Sequence, residues 1–178
     1  MNELTGTIPA SLSNISTLIY LEISTNNLIG SIPQELGLLS NLKLLGLYEN
    51  KLSGIVPTSL SNISILIYLS ISANKLTSSI PQELGLLTSL QTLYLYGNEL
   101  SGTIPTSLSN FSTSVNLGVS TNNLIGSIPT SLSNLLNLTI LDLRENQLIG
   151  TIPNSIENCS KLRDLNISYN KLSGSVPV

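Results

Sequence analysis

Few residues in this chain could perform covalent chemistry. Histidine is absent, and the single cysteine is Cys159. A thiol becomes a catalytic nucleophile when a base sits beside it, and a chain without imidazole offers Cys159 no such partner. Its position suits another role. Cys159 falls in an apolar column with Ile15, Leu39, Ile63, Leu87, Phe111 and Leu135, so it reads as an inert buried thiol. A lone cysteine permits no internal disulfide and says nothing of compartment. Asp142 and Glu145 come nearest to a carboxylate pair, and they read as solvated charges. The sequence shows no phosphate-cradling loop and no metal-ligand spacing. It predicts no catalytic residue, no metal, no cofactor and no enzyme.

Other side chains suit recognition. The six tyrosines are Tyr20, Tyr48, Tyr68, Tyr94, Tyr96 and Tyr169. A row of hydroxyls precedes the Ile-Pro or Val-Pro pairs, reading Thr7, Ser31, Ile55, Ser79, Thr103, Ser127, Thr151 and Ser175. Both patterns depend on a period. Asn2, Asn26, Asn50, Asn74, Asn98, Asn122, Asn146 and Asn170 recur every 24 residues, and all eight prolines follow these asparagines by seven. The repeat reads LxxLxLxxNxLxGxIPxxLxxLxx. A glycine column runs with it, broken once by Ser78. A longer period of 48 lies on top, because IPQELGLL alternates with IPTSLSN until Pro129. We therefore expect a single array over 1–178. It divides into a partial repeat 1–17, full repeats 18–41, 42–65, 66–89, 90–113, 114–137 and 138–161, and a partial repeat 162–178.

The physics of one repeat follows from its pattern. Alternating leucines in LxxLxL mark a short strand with one buried face. Each coil runs the same way, so successive strands pair in parallel, ~4.8 Å apart. Leu21 and Ile23 are expected to point inward, and Tyr20, Glu22 and Ser24 outward. The chain then bends, and inward-facing backbone groups there need partners. A buried asparagine supplies both donors and an acceptor, so stacked asparagines should form a ladder. The LxGxIP stretch forms a second short extended segment. Its glycine provides either room or a positive φ; Ser78 fits only if room is the constraint. Proline presets φ for one helical turn, PxxLxxL, on the outer side. The wider outer side makes the stack curve, with the strands on the concave face.

Eight copies of N-x-L-x-[G/S]-x-[I/V]-P, covering the whole chain, resemble the plant-type leucine-rich repeat. The resemblance implies an α/β-type repeat solenoid: a curved right-handed coil with a parallel β-sheet on the concave face and short 3₁₀ or helical turns on the convex face. Similar arrays form the ectodomains of plant receptor-like kinases and receptor-like proteins, secreted polygalacturonase inhibitors, and a type of plant antifreeze protein. The resemblance implies binding on the concave or adjoining lateral face. Such arrays normally carry cysteine-paired caps, and this chain has none. An excised piece of a longer ectodomain is therefore expected. Leu4, Ile8, Leu12 and Ile15 should face solvent at one end, and Leu165, Ile167, Leu172 and Val176 at the other. Uncapped ends predict end-to-end self-association.

The expected partner is a protein or peptide. Tyrosine combines apolar area with a hydroxyl at low entropic cost, and all six lie on outward strand positions or just after them. The expected concave site comprises Tyr20, Glu22, Tyr48, Glu49, Tyr68, Tyr94, Tyr96, Asp142, Arg144, Glu145, Asp164 and Tyr169, and a peptide with a basic group could bridge its tyrosine and charged zones. Charged residues are 10% of the chain and the net charge is −3, which argues against a nucleic-acid partner. No apolar run reaches membrane-span length, and no signal peptide is expected within this segment. The expected location is extracellular or at the cell surface, within a longer chain.

The columns define two further surfaces. Six N-x-[S/T] sequons occur, about the number composition alone gives. Four of them, Asn14, Asn62, Asn110 and Asn158, share one outer column and are candidate glycosylation sites; at Asn166 a glycan would obstruct the concave face. The hydroxyl row Thr7, Ser31, Ser79, Thr103, Ser127, Thr151 and Ser175 is a candidate ice-binding face, interrupted by Ile55. Receptor module, hydrolase inhibitor and ice binder are thus the three functional readings.

Overall fold

Each full coil lays down two short extended segments and one tight turn; the first segments and the turns stack on their counterparts in the next coil throughout, and the second segments do so in three separate groups. The computed structural model describes residues 2–112 and 115–176. The first segments form a seven-stranded parallel sheet: Tyr20–Glu22, Leu44–Gly46, Tyr68–Ser70, Thr92–Tyr94, Val115–Gly118, Leu138–Asp142 and Asp164–Asn166. Tyr20 pairs with Leu44, Leu44 with Tyr68, and Tyr68 with Thr92. This sheet lines the concave face of a leucine-rich-repeat coil.

The LxGxIP segments pair as well, in shorter pieces. Thr5–Thr7, Asn27–Gly30, Lys51–Gly54 and Lys75–Leu76 form one parallel sheet. Ser101–Gly102 pairs with Asn123–Leu124, and Ile149–Gly150 with Lys171–Leu172. Five-residue 3₁₀ turns then cross the convex side: Ala10–Asn14, Gln34–Leu38, Thr58–Asn62, Gln82–Leu86, Thr106–Asn110, Thr130–Asn134 and Asn154–Asn158. Proline stands just before each turn, not inside it. Its φ lies between −61° and −75° with ψ of 127–133°, which is extended backbone. Its carbonyl accepts the first bond of the turn, as from Leu36 N–H at 3.2 Å.

Leu36, Leu60, Leu84, Leu108 and Leu132 from the turns meet Leu45, Leu69, Leu93, Leu117 and Leu141 from the strands in one continuous core. Leu21 is buried and Ile23 packs against the core from a half-buried position. Tyr20 and Glu22 are exposed, while Ser24 is half-buried. Cys159 is buried at the end of the core column. Among the residues expected to face solvent at the two ends, Leu4, Ile15, Leu165 and Val176 are exposed, whereas Leu12, Ile167 and Leu172 are half-buried. Ile8 departs from the expectation: it is only 4% exposed. The second coil covers it, because Thr5–Thr7 pairs with Asn27–Ile29.

The asparagines do form a ladder. Asn122 donates from Nδ2 to the carbonyls of Val119 (3.1 Å) and Ser120 (3.1 Å) in its own coil, and of Leu95 (3.0 Å) in the previous one. Its Oδ1 accepts from Leu100 N–H at 3.0 Å. Asn50, Asn74, Asn98, Asn146 and Asn170 repeat this pattern. Each amide therefore ties two coils together and satisfies backbone groups that the bend removes from the strands. Asn2 is exposed and stands outside this row.

Two further features differ from what the repeat pattern predicts. Ser78 has φ +72°, beside glycines at +76° to +85° in the same column. Positive φ is the shared constraint, and Ser78 adopts it despite its Cβ. Close approach is not shared: a Cβ at Gly6 would meet nothing within 4 Å, whereas one at Gly30 would lie 2.9 Å from Thr7 Cγ2. The spacing also slips once. Strict periodicity puts Ser114 in the first leucine column, but Val115 is the residue that pairs with Leu138, and the register shifts before Asn116 meets Ile140. The preceding turn ends differently too. Phe111 has ψ 125°, against 62–72° at the other turn ends.

Candidate functional site

Alternation along each strand sends one set of side chains out onto the concave sheet. Parallel register stacks these into columns. One column reads Tyr20, Leu44, Tyr68, Thr92, Asn116, Ile140 and Asp164; the next reads Glu22, Gly46, Ser70, Tyr94, Gly118, Asp142 and Asn166. Tyr48 and Tyr96 follow just beyond the strands.

Three tyrosines meet at the centre. The rings of Tyr68 and Tyr94 lie edge to face, with centroids 6.3 Å apart. Tyr94 and Tyr96 lie 5.8 Å apart at 60°. Tyr94 has room because its neighbour in the column is Gly118, where a Cβ would come within 3.1 Å of the ring. Gly46 plays the same part for Glu22, since a Cβ there would collide with the Glu22 carboxylate. Ser70 and Ser72 are buried and hydrogen-bonded to each other at 3.0 Å. Burial pushes the Tyr68 hydroxyl above its ordinary value of 10.0; a hydrogen bond with Ser70 opposes the rise and the Glu22 carboxylate adds to it. Burial, then the neighbouring Tyr96, raises Tyr94 likewise.

The expected charged zone is less unified. Asp142 accepts from Ser120 Oγ at 2.9 Å and pairs with Arg144 Nε at 3.5 Å. This is the one ion pair among the described residues. Glu49 and Glu145 accept from Thr25 and Thr121 at 3.0 and 3.1 Å. Both sit at positive φ, as does Tyr169. Tyr20, 64% exposed, stands on the first strand, whereas Tyr169, 79% exposed, and Asp164 belong to the last coil. Tyr48, Tyr68, Tyr94, Tyr96 and Glu22 thus form one neighbourhood, and Asp142 with Arg144 another. Sequence reasoning missed Ser70, Ser72, Gly46 and Gly118. Their column positions were legible, because each lies 24 residues from an acid or a tyrosine in the same column.

The other candidates are also placed. The Cys159 thiol is pushed up by burial and points to the Leu132 carbonyl at 3.7 Å. Asn14, Asn62, Asn110 and Asn158 each end a convex turn and are exposed. Thr7, Ser31, Ser79, Thr103, Ser127, Thr151 and Ser175 are all exposed on the lateral face. That face is not flat. Ile55, 58% exposed, stands between two grooves of about 520 and 560 Å³. No helix among the described residues is long and apolar enough to cross a membrane.

Comparison with known proteins agrees with this architecture. The leucine-rich-repeat model matches residues 40–100 and 115–172, and a second leucine-rich-repeat model matches 17–39. No curated protein matches the chain. Among solved structures it is similar to the plant peptide hormone receptor RGFR1 in complex with RGF2, at 40% identity and TM-score 0.97 over 99% of this chain. It is also similar to the ectodomain of the Arabidopsis receptor kinase HAESA in complex with an N-terminally extended IDA peptide hormone, at 40% identity and TM-score 0.91 over 96% of this chain. A plant ice-binding protein matches at 30% identity and TM-score 0.74 over 100% of this chain and 73% of its own. The chain spans only 28% and 29% of the two receptor chains. Repeat motif, coil geometry and family match agree: the chain belongs to the plant-type leucine-rich-repeat family.

Proposed function

We propose that this chain is the ligand-recognising part of an extracellular plant receptor, binding a peptide along its concave sheet. The observation that carries the reading is the tyrosine group Tyr68–Tyr94–Tyr96 at the middle of that sheet, with Tyr68 and Tyr94 half-buried, Tyr96 exposed, and the Glu22 carboxylate at its edge. Rings held against each other lose little freedom on binding, and tyrosine anchors of this kind carry much of the energy of peptide interfaces. Among the described residues Glu22 has no cationic partner, so a basic group on the peptide fits beside the rings, where cation–π attraction adds to charge. The similarity to peptide-hormone receptor ectodomains supports the same reading.

Ice binding is the second reading, supported by the matching plant ice-binding structure and the exposed hydroxyl row. Ile55 and its two flanking grooves interrupt the flat surface that lattice matching needs. A peptide library displayed on phage, panned against the full ectodomain, tests the first reading. Enriched peptides should lose about 30-fold in affinity on the Y94A/Y96A variant, the effect of removing a strong aromatic anchor. Equal binding to that variant overturns the concave site. Thermal hysteresis in the purified protein favours the second reading.

A further inference from the structure

The lateral face carries one groove twice. The two grooves that flank Ile55 are related by the longer period, since every residue lining the first has its counterpart 48 positions on in the lining of the second. Ser31 corresponds to Ser79, Pro33 to Pro81, and Glu35 to Glu83. Each groove is centred on a turn that starts Gln-Glu, Gln34–Leu38 or Gln82–Leu86. Both turns are locked to the next coil. The Gln34 and Gln82 carbonyls accept from Ser59 and Ser107 Oγ at 2.6 and 2.7 Å. A Cβ at Gly37 or Gly85 would collide with the Ser59 or Ser107 carbonyl, so these backbones are in close contact.

The chemistry of the grooves is acidic and unpaired. Glu35 and Glu83 are half-buried in the linings, and among the described residues neither carboxylate has an ionic or hydrogen-bond partner. Among those residues, too, no lysine or arginine lines either groove. The fold does not require an acid there, because the same column carries Ser11, Ser59, Ser107, Ser131 and Ser155 in the other coils. Ile55, 58% exposed, is the apolar ridge shared by both grooves.

Spacing then selects the occupant. The strands leading into the grooves pair in one parallel sheet through Lys75–Leu76, so equivalent points two coils apart lie ~9.6 Å apart. A polyproline helix has three residues per turn and rises about 3.1 Å per residue, which puts positions i and i+3 on one face about 9.3 Å apart. An extended strand fails, because i and i+3 point to opposite sides. We propose that the paired grooves hold a polyproline-type peptide with basic residues three apart, one basic group beside Glu35 and the next beside Glu83. The two prolines between them pass over Ile55. Such a peptide is already ordered before it binds, so it loses little entropy.

This site does not rest on the concave one, and the test keeps them apart. Binding of capped peptides to the full ectodomain is measured by calorimetry at low ionic strength, where charge contacts are least screened. Lys-Pro-Pro-Lys-Pro-Pro should bind about fivefold tighter than Lys-Pro-Pro-Pro-Lys-Pro, which has the same composition and the wrong period. Glu35→Ser with Glu83→Ser, which copies the neighbouring coils and so keeps the fold, should erase that preference. Ile55→Thr, the residue at Thr7 and Thr103 of the same column, should weaken the first peptide about threefold. Y94A/Y96A should bind it as the parent does. Equal affinity for the two peptides overturns the proposal, as does full binding by the double serine variant. Loss of binding in Y94A/Y96A also overturns it, by moving the peptide to the concave sheet, and leaves the concave reading standing. A glucosamine oligomer, or a helical peptide with lysines seven residues apart, that binds as tightly as the first peptide overturns the polyproline occupant.

Discussion

Asn122 and Asn123 are neighbours of one residue type, yet they live under opposite rules. Asn122 turns inward, is 8% exposed, and holds two coils together through four hydrogen bonds. Asn123 is exposed, and among the described residues only its backbone is tied, through N–H to the Leu100 carbonyl at 2.7 Å. The contrast extends to the molecule. Inward columns repeat the same chemistry in every coil because each coil has the same backbone groups to satisfy. Outward columns vary from coil to coil because only solvent and a partner constrain them. Stability lives in the first set, and the proposed recognition in the second.

The sharpest way to break this contrast is to exchange the two asparagines' roles. Asn122→Leu leaves the Leu100 N–H and bend carbonyls without partners. At about 1–3 kcal/mol for each buried unsatisfied group, it should cost about 4 kcal/mol. Asn123→Ala should stay within about 0.5 kcal/mol of the parent. Chemical denaturation followed by circular dichroism measures both, and similar costs would dissolve the distinction. A smaller effect of opposite sign is expected at Ser78. Ser78→Gly should stabilise the fold by about 1 kcal/mol, because a left-handed backbone costs roughly that for a residue with a Cβ. An unchanged denaturation midpoint would mean the lost side chain offsets the relieved strain.

The smallest effect tests the outward set. Tyr68 and Tyr94 hold their protons more tightly in the fold than in the unfolded chain, chiefly through burial. Their contribution is therefore complete below the ordinary tyrosine value of 10.0 and is lost as pH rises through the higher folded values. Stability should fall from about pH 10 upward, and Y68F/Y94F should flatten that fall. Parallel alkaline curves for parent and variant would mean the rings titrate as free tyrosines.

Much of the scaffold was legible because its cause is local. LxxLxL announces a half-buried strand, and proline announces the turn. The asparagine at the bend was readable from the groups it must satisfy. The candidate site was legible only as columns. Tyr68, Tyr94 and Tyr96 could be placed outward, but their edge-to-face meeting depends on Gly118 and on ring orientations that no spacing specifies. The predicted charged zone illustrates the limit. Asp142 and Arg144 neutralise each other, and Glu49 and Glu145 bond to threonines one coil back. Val115 slipped past a strict period because burial, not counting, decides which residue fills the core.

By itself the sequence determined the coil, its direction, the inward ladder and the list of outward side chains, because each coil must solve the same backbone problem with the same residues. Only the tertiary structure decided which outward side chains meet, that Ser78 bends into the left-handed region, and that the register slips at Val115. Those outcomes arise between coils, where packing against a neighbour 24 residues away outweighs what any local stretch prefers.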